Sequence, residues 1–456
     1  MVEYQATRSL KWIVSPISNL IHKSFQLLAR RMRLIMSLKI FVLFLLTLWC
    51  STILVAQEYS IVIKGGHVID PKNNIDNIMD LAIQDNKIAF IANNIDSKKG
   101  ALVIDATGYF ITPGLIDLHS HNFYGTQPNH FLNNSYEALA PDGFTFRSGV
   151  TTTVDAGSSG WKNFDVFKEQ TIAHSKTRVL CFLNIVGEGM CGGPYEQDLN
   201  DMDSSMTALV VSQHPEIVGI KVAHYNGDDW NPVDRAVAAG RIAKVPVMID
   251  FGSHLPQLSV KELFFDHLRP GDIFTHTFAK LKGRGSILDD NGNVNSFFIE
   301  AQKKGIVFDV GHGALSFMYS QAVPALKSGF FPTTISTDMY SANVNAGMKD
   351  ISNMMSKFLT IGMNLKQVIA ATTWSPAQVI HHEELGNLSI GSVADVAIFN
   401  IRKGKFGFVD SGGFKIYGEQ KLECEVTIRD GKIVYDLNGI SKPLWQSKIS
   451  NIKNEN

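Results

Sequence analysis

Eight short apolar runs follow one another through the middle of this sequence, and they restrict the possible folds more than any other feature. In order they read PGLIDLHSH, TTTVDAG, VLCFLNIVG, IVGIKVAHY, VPVMIDFG, DIFTHTF, GIVFDVGHG and TTISTDMY. Helix-compatible segments such as NPVDRAVAAGRIAK separate them. Strands that are buried on both faces of a parallel sheet have this near-continuous apolar character. Eight strand–helix repeats over residues 111–390 predict an α/β fold, a (β/α)8 TIM-like barrel, which typically takes about 250 residues.

An open doubly wound sheet is the main alternative for such a pattern. Many sheets of that kind carry a Gly-x-Gly-x-x-Gly turn after the first strand, and no such motif follows PGLIDLHSH. The barrel is therefore the favoured prediction.

Two flanking regions have a different pattern. Residues 57–110 and 391–440 contain short alternating segments, such as YSIVIKGGHVID and KLECEVTIRDGKIVYD, with Gly, Asp and Asn between them. These are strand and hairpin signals. Neither region is long enough to form a stable sheet domain alone, so we expect one small β-sandwich domain built from both chain ends. Residues 441–456 are expected to be a tail.

Residues 1–56 have the composition of a leader. Met36 and Lys39 precede the apolar run FVLFLLTLWCSTILVA, which is the layout of a secretory signal peptide with cleavage after Ala56. Met36 is a candidate for the true start. We therefore expect an exported protein, periplasmic or extracellular; the alternative is a membrane anchor formed by the uncleaved run.

The overall charge is close to neutral, with a formal net charge of -1 and no extended basic block. This balance gives no indication of a nucleic-acid partner. The expected partner is a small-molecule substrate, and a homo-oligomer is one expected assembly because such barrels commonly oligomerise.

Polar residues emerge directly from the ends of the apolar runs, where an unpaired charge or imidazole would be costly to bury. In a strand, residues two apart share a face, so the His-x-His pair of the first run points one way. Catalytic groups of barrel enzymes gather at the carboxyl ends of the strands. A divalent metal would explain the convergence of His119, His121, Lys221, His224, Asp250, His276, His312 and Asp338.

Cysteine does not provide the ligands of such a site. After the leader only Cys181, Cys191 and Cys424 remain, without Cys-x-x-Cys spacing. Any metal must therefore be held by nitrogen and oxygen.

The ordered motifs GLIDLHSH, VGIKVAHYNG, PVMIDFGSH, RPGDIFTH, FDVGHG and ISTDMY resemble those of the amidohydrolase superfamily, and closely its dihydroorotase-related amidohydrolase/deacetylase branch. The resemblance covers residues 58–440. It implies that His119 and His121 bind the more buried metal together with Asp338. It also implies that Lys221 carries a carbamate bridging two divalent ions, expected to be zinc, and that His276 binds the second ion.

The fifth strand departs from this family pattern. Most relatives have a histidine ligand there, whereas this chain has Asp250, with His254 as an alternative ligand four residues later. Aspartate is an acceptable zinc ligand, and Asp250 is the favoured one. For Lys221 a buried ion pair is the alternative to the carbamate. His224 and His312 are candidate substrate contacts, or they satisfy backbone carbonyls.

The resemblance implies a metal-dependent hydrolase acting on C–N bonds other than peptide bonds, such as N-acyl groups or cyclic amides. A metal-activated hydroxide would attack, with Asp338 as the general base that later returns the proton. Dihydroorotase itself is disfavoured, because its first-strand signature continues with an arginine where this chain has Asn122-Phe123-Tyr124. The alternatives are a lactonase or carboxylesterase on the same centre, a catalytically silent barrel used for binding, and a single-metal deaminase-type site.

Overall fold

The computed structural model describes residues 22–37, 39, 57–125, 137–250 and 257–445. The chain divides into two compact units, Met1–Ala56 and Gln57–Asn456. In the first unit residues 22–37 are helical. No helix within the described ranges has the length and apolar character needed to span a membrane. The apolar run of the expected signal peptide, its cleavage point after Ala56 and the tail beyond residue 445 lie outside these ranges.

The second unit begins with five strands of a mixed sheet. They are β1 (Tyr59–Asp70), β2 (Ile75–Gln84), β3 (Lys87–Ala92), β4 (Gly100–Asp105) and β5 (Phe110–Pro113). β1 pairs antiparallel with β2 and parallel with β4 and β5. The chain then leaves this sheet for the barrel region.

Seven parallel strands form the second sheet, in sequential order. They are β6 (Leu115–Ser120), β7 (Val150–Gly160), β8 (Arg178–Asn184), β9 (Ile217–Ala223), β10 (Val247–Asp250), β11 (Ile273–Phe274) and β12 (Val307–Phe308). β6, β7, β9 and β10 are buried at every position, as their apolar runs predict. Residues 334–339, the eighth predicted run, bridge in parallel to both edges: Asp309 pairs with Thr334 and Ser120 with Met339. The parallel sheet thus closes on itself, and we refer to it as the barrel.

Ten α-helices lie in the described part of this unit. They are α1 (Phe164–Gln170), α2 (Ser204–Gln213), α3 (Asn231–Ala243), α4 (Val260–Glu262), α5 (Ser296–Lys304), α6 (Tyr319–Lys327), α7 (Ser341–Val344), α8 (Ile351–Ile361), α9 (Leu365–Thr372) and α10 (Trp374–Val379). α3 shows why such segments are helical: Pro232 stands in its first turn, a buried stripe faces β9 and β10, and Lys244 ends it with a left-handed backbone. A cluster of phenylalanines fills the space between β11, β12 and α5, among them Phe264, Phe274, Phe298 and Phe308.

The chain returns to the first sheet after the barrel. β13 (Val396–Val409), β14 (Lys415–Arg429) and β15 (Lys432–Asp436) add to it, with β13 antiparallel to β5. Both flanking regions therefore contribute to one eight-stranded sheet. They also share one core, in which Ile63, Leu81 and Ile111 pack with Val396 and Val426.

Two barrel strands are shorter than their apolar runs predict. β11 and β12 have two residues each, although the runs DIFTHTF and GIVFDVGHG are longer. His276 has a φ of 57° and Gly311 a φ of 44°. These left-handed residues end the extended backbone soon after each strand and turn the chain at the end of the barrel where the predicted ligands lie.

Candidate metal centre

One cluster of potential ligands joins the first strand to the closing segment. The Nε2 atoms of His119 and His121 lie 3.3 Å and 3.0 Å from Oδ1 of Asp338. All three side chains are buried. Their ligand atoms lie within 4.8 Å of one another, close enough to share one cation.

A second cluster shares His119 with the first. It adds Asp250 from β10 and His276 after β11, and Nε2 of His276 lies 3.2 Å from Oδ2 of Asp250. Lys221 of β9 lies between the two groups, fully buried, with Nζ 3.1 Å from Nε2 of His119 and 3.5 Å from Oδ2 of Asp250. All six residues predicted as metal ligands therefore meet at one place.

The three imidazoles of these clusters share an orientation. Nδ1 of His121 lies 3.0 Å from Oγ of Ser158, and Nδ1 of His119 lies 3.1 Å from Oγ1 of Thr275. Nδ1 of His276 donates to the carbonyl of Gly311 at 2.6 Å. Each Nδ1 is therefore held, and each Nε2 is directed at the carboxylates, which is how metal-binding histidines are oriented in proteins.

Two buried aspartates accept hydrogen bonds from the residues that contact the imidazole rings. Asp309 is fully buried and accepts hydrogen bonds from Thr275, Thr334 and Ser336 at 2.6–2.7 Å. Asp155 is also fully buried and accepts from the backbone N–H of Ser158 at 2.8 Å. Burial raises the pKa of both carboxyl groups.

Asp309 and Asp155 were not among the site residues predicted from the sequence, although the sequence contains a signal for both. Both emerge from apolar runs, TTTVDAG and GIVFDVGHG, in the same way as the predicted ligands. A third buried acid, Asp117 of β6, accepts hydrogen bonds from the backbone N–H of Thr337 at 3.0 Å and of His119 at 3.3 Å. Burial raises its pKa to about 7.

The backbone at this end of the barrel is unusual. His276 and Asp338 have φ values of 57° and 53°, a left-handed conformation that costs free energy for any residue with a Cβ. Two glycines let the chain approach the ligands closely. A Cβ on Gly311 would lie 2.3 Å from Oγ1 of Thr275, and one on Gly313 would lie 2.4 Å from Oδ2 of Asp338.

The electrostatics of the clusters suit a cation. Burial, reinforced by the charge of Lys221, lowers the pKa of His119 well below its usual value, so this imidazole is neutral. Burial alone would raise the pKa of Asp250, but the charges of His276 and Lys221 lower it well below its usual range. A neutral imidazole and an ionised carboxylate are the forms in which these side chains bind metal. The donor set of nitrogen and oxygen fits a divalent ion such as zinc.

The two predicted substrate contacts lie in different surroundings. His224, just beyond β9, has a half-exposed side chain with Nε2 3.7 Å from Oδ2 of Asp250. His312 is buried: its Nδ1 donates to the carbonyl of Gly313 at 2.8 Å, and its Nε2 accepts from Nζ of Lys357 at 2.7 Å. Both ring nitrogens of His312 are therefore used within the protein. His254, the alternative to Asp250, lies outside the described residues.

Comparison with known proteins identifies the family. The sequence model of the Amidohydrolase family matches residues 305–434. A deacetylase of Agrobacterium fabrum is 33% identical over 337 residues, which cover 72% of this chain and 80% of the relative. The chain belongs to the amidohydrolase family. The predicted resemblance is confirmed, and with it the expectation of a metal-dependent hydrolase acting on C–N bonds.

Other similar proteins extend the range of named activities within this amidohydrolase group. A dihydroorotase of Streptococcus pneumoniae is 41% identical over 449 aligned positions, covering 82% of this chain and 99% of the relative. A solved structure described as an adenine deaminase superposes with a TM-score of 0.75 at 28% identity, covering 83% of this chain and all of the other. The fold and the family are thus common to enzymes with different named substrates, so the substrate must be argued from the site.

Proposed function

We propose that this amidohydrolase removes an acyl group from nitrogen, as a deacetylase does, with two divalent ions at the barrel mouth. The observation that carries the proposal is the common orientation of three imidazoles, each with Nδ1 held and Nε2 directed at Asp250 or Asp338. Zinc is the proposed metal, because the donors are imidazole nitrogen and carboxylate oxygen.

Each cluster would hold one ion. His119, His121 and Asp338 form the first site, and Asp250 with His276 forms the second. Lys221 is proposed to carry a carbamate, since its Nζ lies beside both clusters and its ammonium form cannot bind a cation. When bound, such ions lower the pKa of a water molecule and polarise the scissile carbonyl.

Asp338 is the proposed proton carrier. Its Oδ1 lies within 3.3 Å of the Nε2 atoms of both histidines of the first cluster. Its backbone is fixed because the side-chain amide of Asn343 donates to its carbonyl. A carboxylate held in this way takes a proton from the attacking water and then passes it to the leaving nitrogen.

Of the two substrate contacts predicted from the sequence, we propose only one. We keep His224 as a substrate contact, because its side chain is half-exposed beside Asp250. His312 is dropped, because its ring nitrogens are bonded to Gly313 and Lys357. Dihydroorotase has an arginine in the segment that reads Asn122-Phe123-Tyr124 in this chain, and we take the lack of an arginine there to favour another amide over dihydroorotate.

A single-metal site is the second candidate, and one distance favours it. Nζ of Lys221 lies 3.5 Å from Oδ2 of Asp250, which is the ion pair expected of an unmodified lysine. In that arrangement only the first cluster would bind metal. One ion per chain and a Lys221 of unmodified mass would support this candidate.

Three further expectations belong to the same proposal. The flanking strands are proposed to form a β-sandwich around their shared core, with the (β/α)8 barrel spanning residues 111–390 between them. The protein is proposed to be exported, on the sequence of residues 36–56. An ester or lactone substrate on the same centre is the alternative to an amide.

A substrate panel tests the reaction class. Zinc-loaded protein would be assayed with N-acetyl amino acids of both hands, lactones and acetyl esters. We expect the highest kcat/KM for an N-acetyl compound. Turnover of esters alone would move the assignment to an esterase, and no turnover of any compound would contradict the proposed function.

A further inference from the structure

His224 is held in an energetically unfavourable conformation at the edge of the proposed centre. Its φ of 54° is left-handed, and its side chain is half-exposed, with Nε2 3.7 Å from Oδ2 of Asp250. A left-handed backbone at a residue other than glycine persists only where the surroundings impose it, and it is concentrated at functional sites.

Residues of another loop hold His224 in this left-handed conformation. After β8, residues Tyr195–Gln197 form a single helical turn. Glu196 in this turn is almost fully buried, and its Oε2 accepts from Nδ1 of His224 at 2.8 Å, while Oε1 accepts from the N–H of Gly192 at 2.7 Å. Both oxygens of the buried carboxylate therefore accept a hydrogen bond, one of them from the His224 ring.

The next residue of the same turn holds the His224 backbone. Nε2 of Gln197 donates to the carbonyl of His224 at 2.9 Å, and Oε1 of Gln197 accepts from the N–H of Asn226 at 2.8 Å. The side-chain amide of Gln197 thus holds the main chain that immediately follows the left-handed residue. Adjacent residues of one turn fix the ring and the main chain of His224.

This arrangement determines which ring nitrogen of His224 faces the proposed centre. With Nδ1–H donated to Glu196, Nε2 is the ring nitrogen that faces Asp250, while half of the side chain stays open to solvent. A histidine needed only for packing would be buried, and one without a role would not require two side chains from a separate loop.

We propose that Glu196 and Gln197 are positioning residues for substrate binding, which hold Nε2 of His224 in place to hydrogen-bond a polar group beside the scissile amide. This inference rests on the proposed function. Because it concerns binding, disruption is expected to affect KM more than kcat.

The test is a set of variants assayed with the best amide of the substrate panel. E196A and H224N are each expected to raise KM about tenfold, the effect of one lost hydrogen bond, with kcat changed by less than about threefold. E196Q keeps an acceptor for Nδ1 and is expected to restore most of the binding. E188Q is the matched control from the same loop: Glu188 pairs with Lys162 at the surface, so KM should stay unchanged.

A double-mutant cycle separates positioning from a merely structural role. If Glu196 acts through His224, E196A adds nothing to KM in the H224N background, and Q197A likewise adds nothing there. Should E196A fail to fold, Q197A carries the same cycle. Additive effects, or lost metal content with unchanged KM, would overturn the inference while leaving the proposed function intact. Absence of turnover by the wild-type protein would overturn both.

Discussion

At the scale of single residues, Asp338 is the side chain on which the proposed chemistry most depends. Replacing it with asparagine keeps its shape and one oxygen ligand but removes its capacity to carry a proton. We expect kcat of D338N to fall by about 10²–10⁴-fold, the usual contribution of a general base, while most of the metal stays bound. Kinetics and metal analysis of the same preparation check this. D266N, at an exposed position, is the control. A near-wild-type kcat for D338N would assign the proton to another group.

Lys357 gives a prediction about stability. It is fully buried, and burial lowers its pKa to about 7. In the unfolded chain its pKa is near 10.4, so between these values the unfolded state binds a proton that the folded state does not, and stability rises with pH. We expect the free energy of unfolding to gain up to about 2 kcal/mol from pH 7 to 8.5 relative to K357M. Urea denaturation of both proteins measures the difference. Parallel pH profiles would mean that Lys357 stays charged in the folded protein.

At the scale of elements, the segment after β12 fits against the ligands only because it contains glycine. In G311A the new Cβ would meet Thr275 and the ring of His276 at 2.3 and 2.8 Å. We expect metal affinity to fall at least about tenfold, as when a ligand's hydrogen-bonding partner is lost. G329A tests the backbone cost alone, because Gly329 also has a positive φ but open space around it. Competition with a chelator measures both variants, and equal affinities would show that the close packing at Gly311 is dispensable.

The same elements show what the sequence could and could not predict about the site. Strand alternation was enough to place His119 and His121 on one face, and the ends of apolar runs indicated Lys221, Asp250 and His276. The left-handed backbone of His276 has no local sequence signal, because neighbouring strands impose it. Asp309 acts through Thr275, a contact that exists only after the sheet closes.

At the scale of the whole molecule, a buried ion pair joins the mixed sheet to the barrel. Asp395, just before β13, is fully buried and accepts from the guanidinium of Arg178 at the start of β8. R178A would leave this carboxylate uncompensated, and we expect it to lower the free energy of unfolding by about 3 kcal/mol. R402A removes an exposed pair with Glu423 and should cost less than about 1 kcal/mol. Chemical denaturation compares the two, and equal losses would contradict the role given to Asp395.

The order of the parallel strands and the union of both flanking regions could be predicted because they depend on patterns repeated along the chain. The hydrogen bond between His312 and Lys357 could not be predicted, because Lys357 lies 45 residues later, on α8. Sequence spacing does not indicate that these two side chains meet, so the same glycine-flanked histidine that suggested a substrate contact proved to be bonded to a buried lysine.

The metal content of the purified protein, measured by elemental analysis after equilibration with zinc and removal of unbound metal, decides whether the barrel mouth forms a two-metal centre. We expect about two divalent ions per chain in the wild-type protein. Protein that retains no metal under these conditions would show that the side chains gathered at the barrel mouth do not form a metal centre.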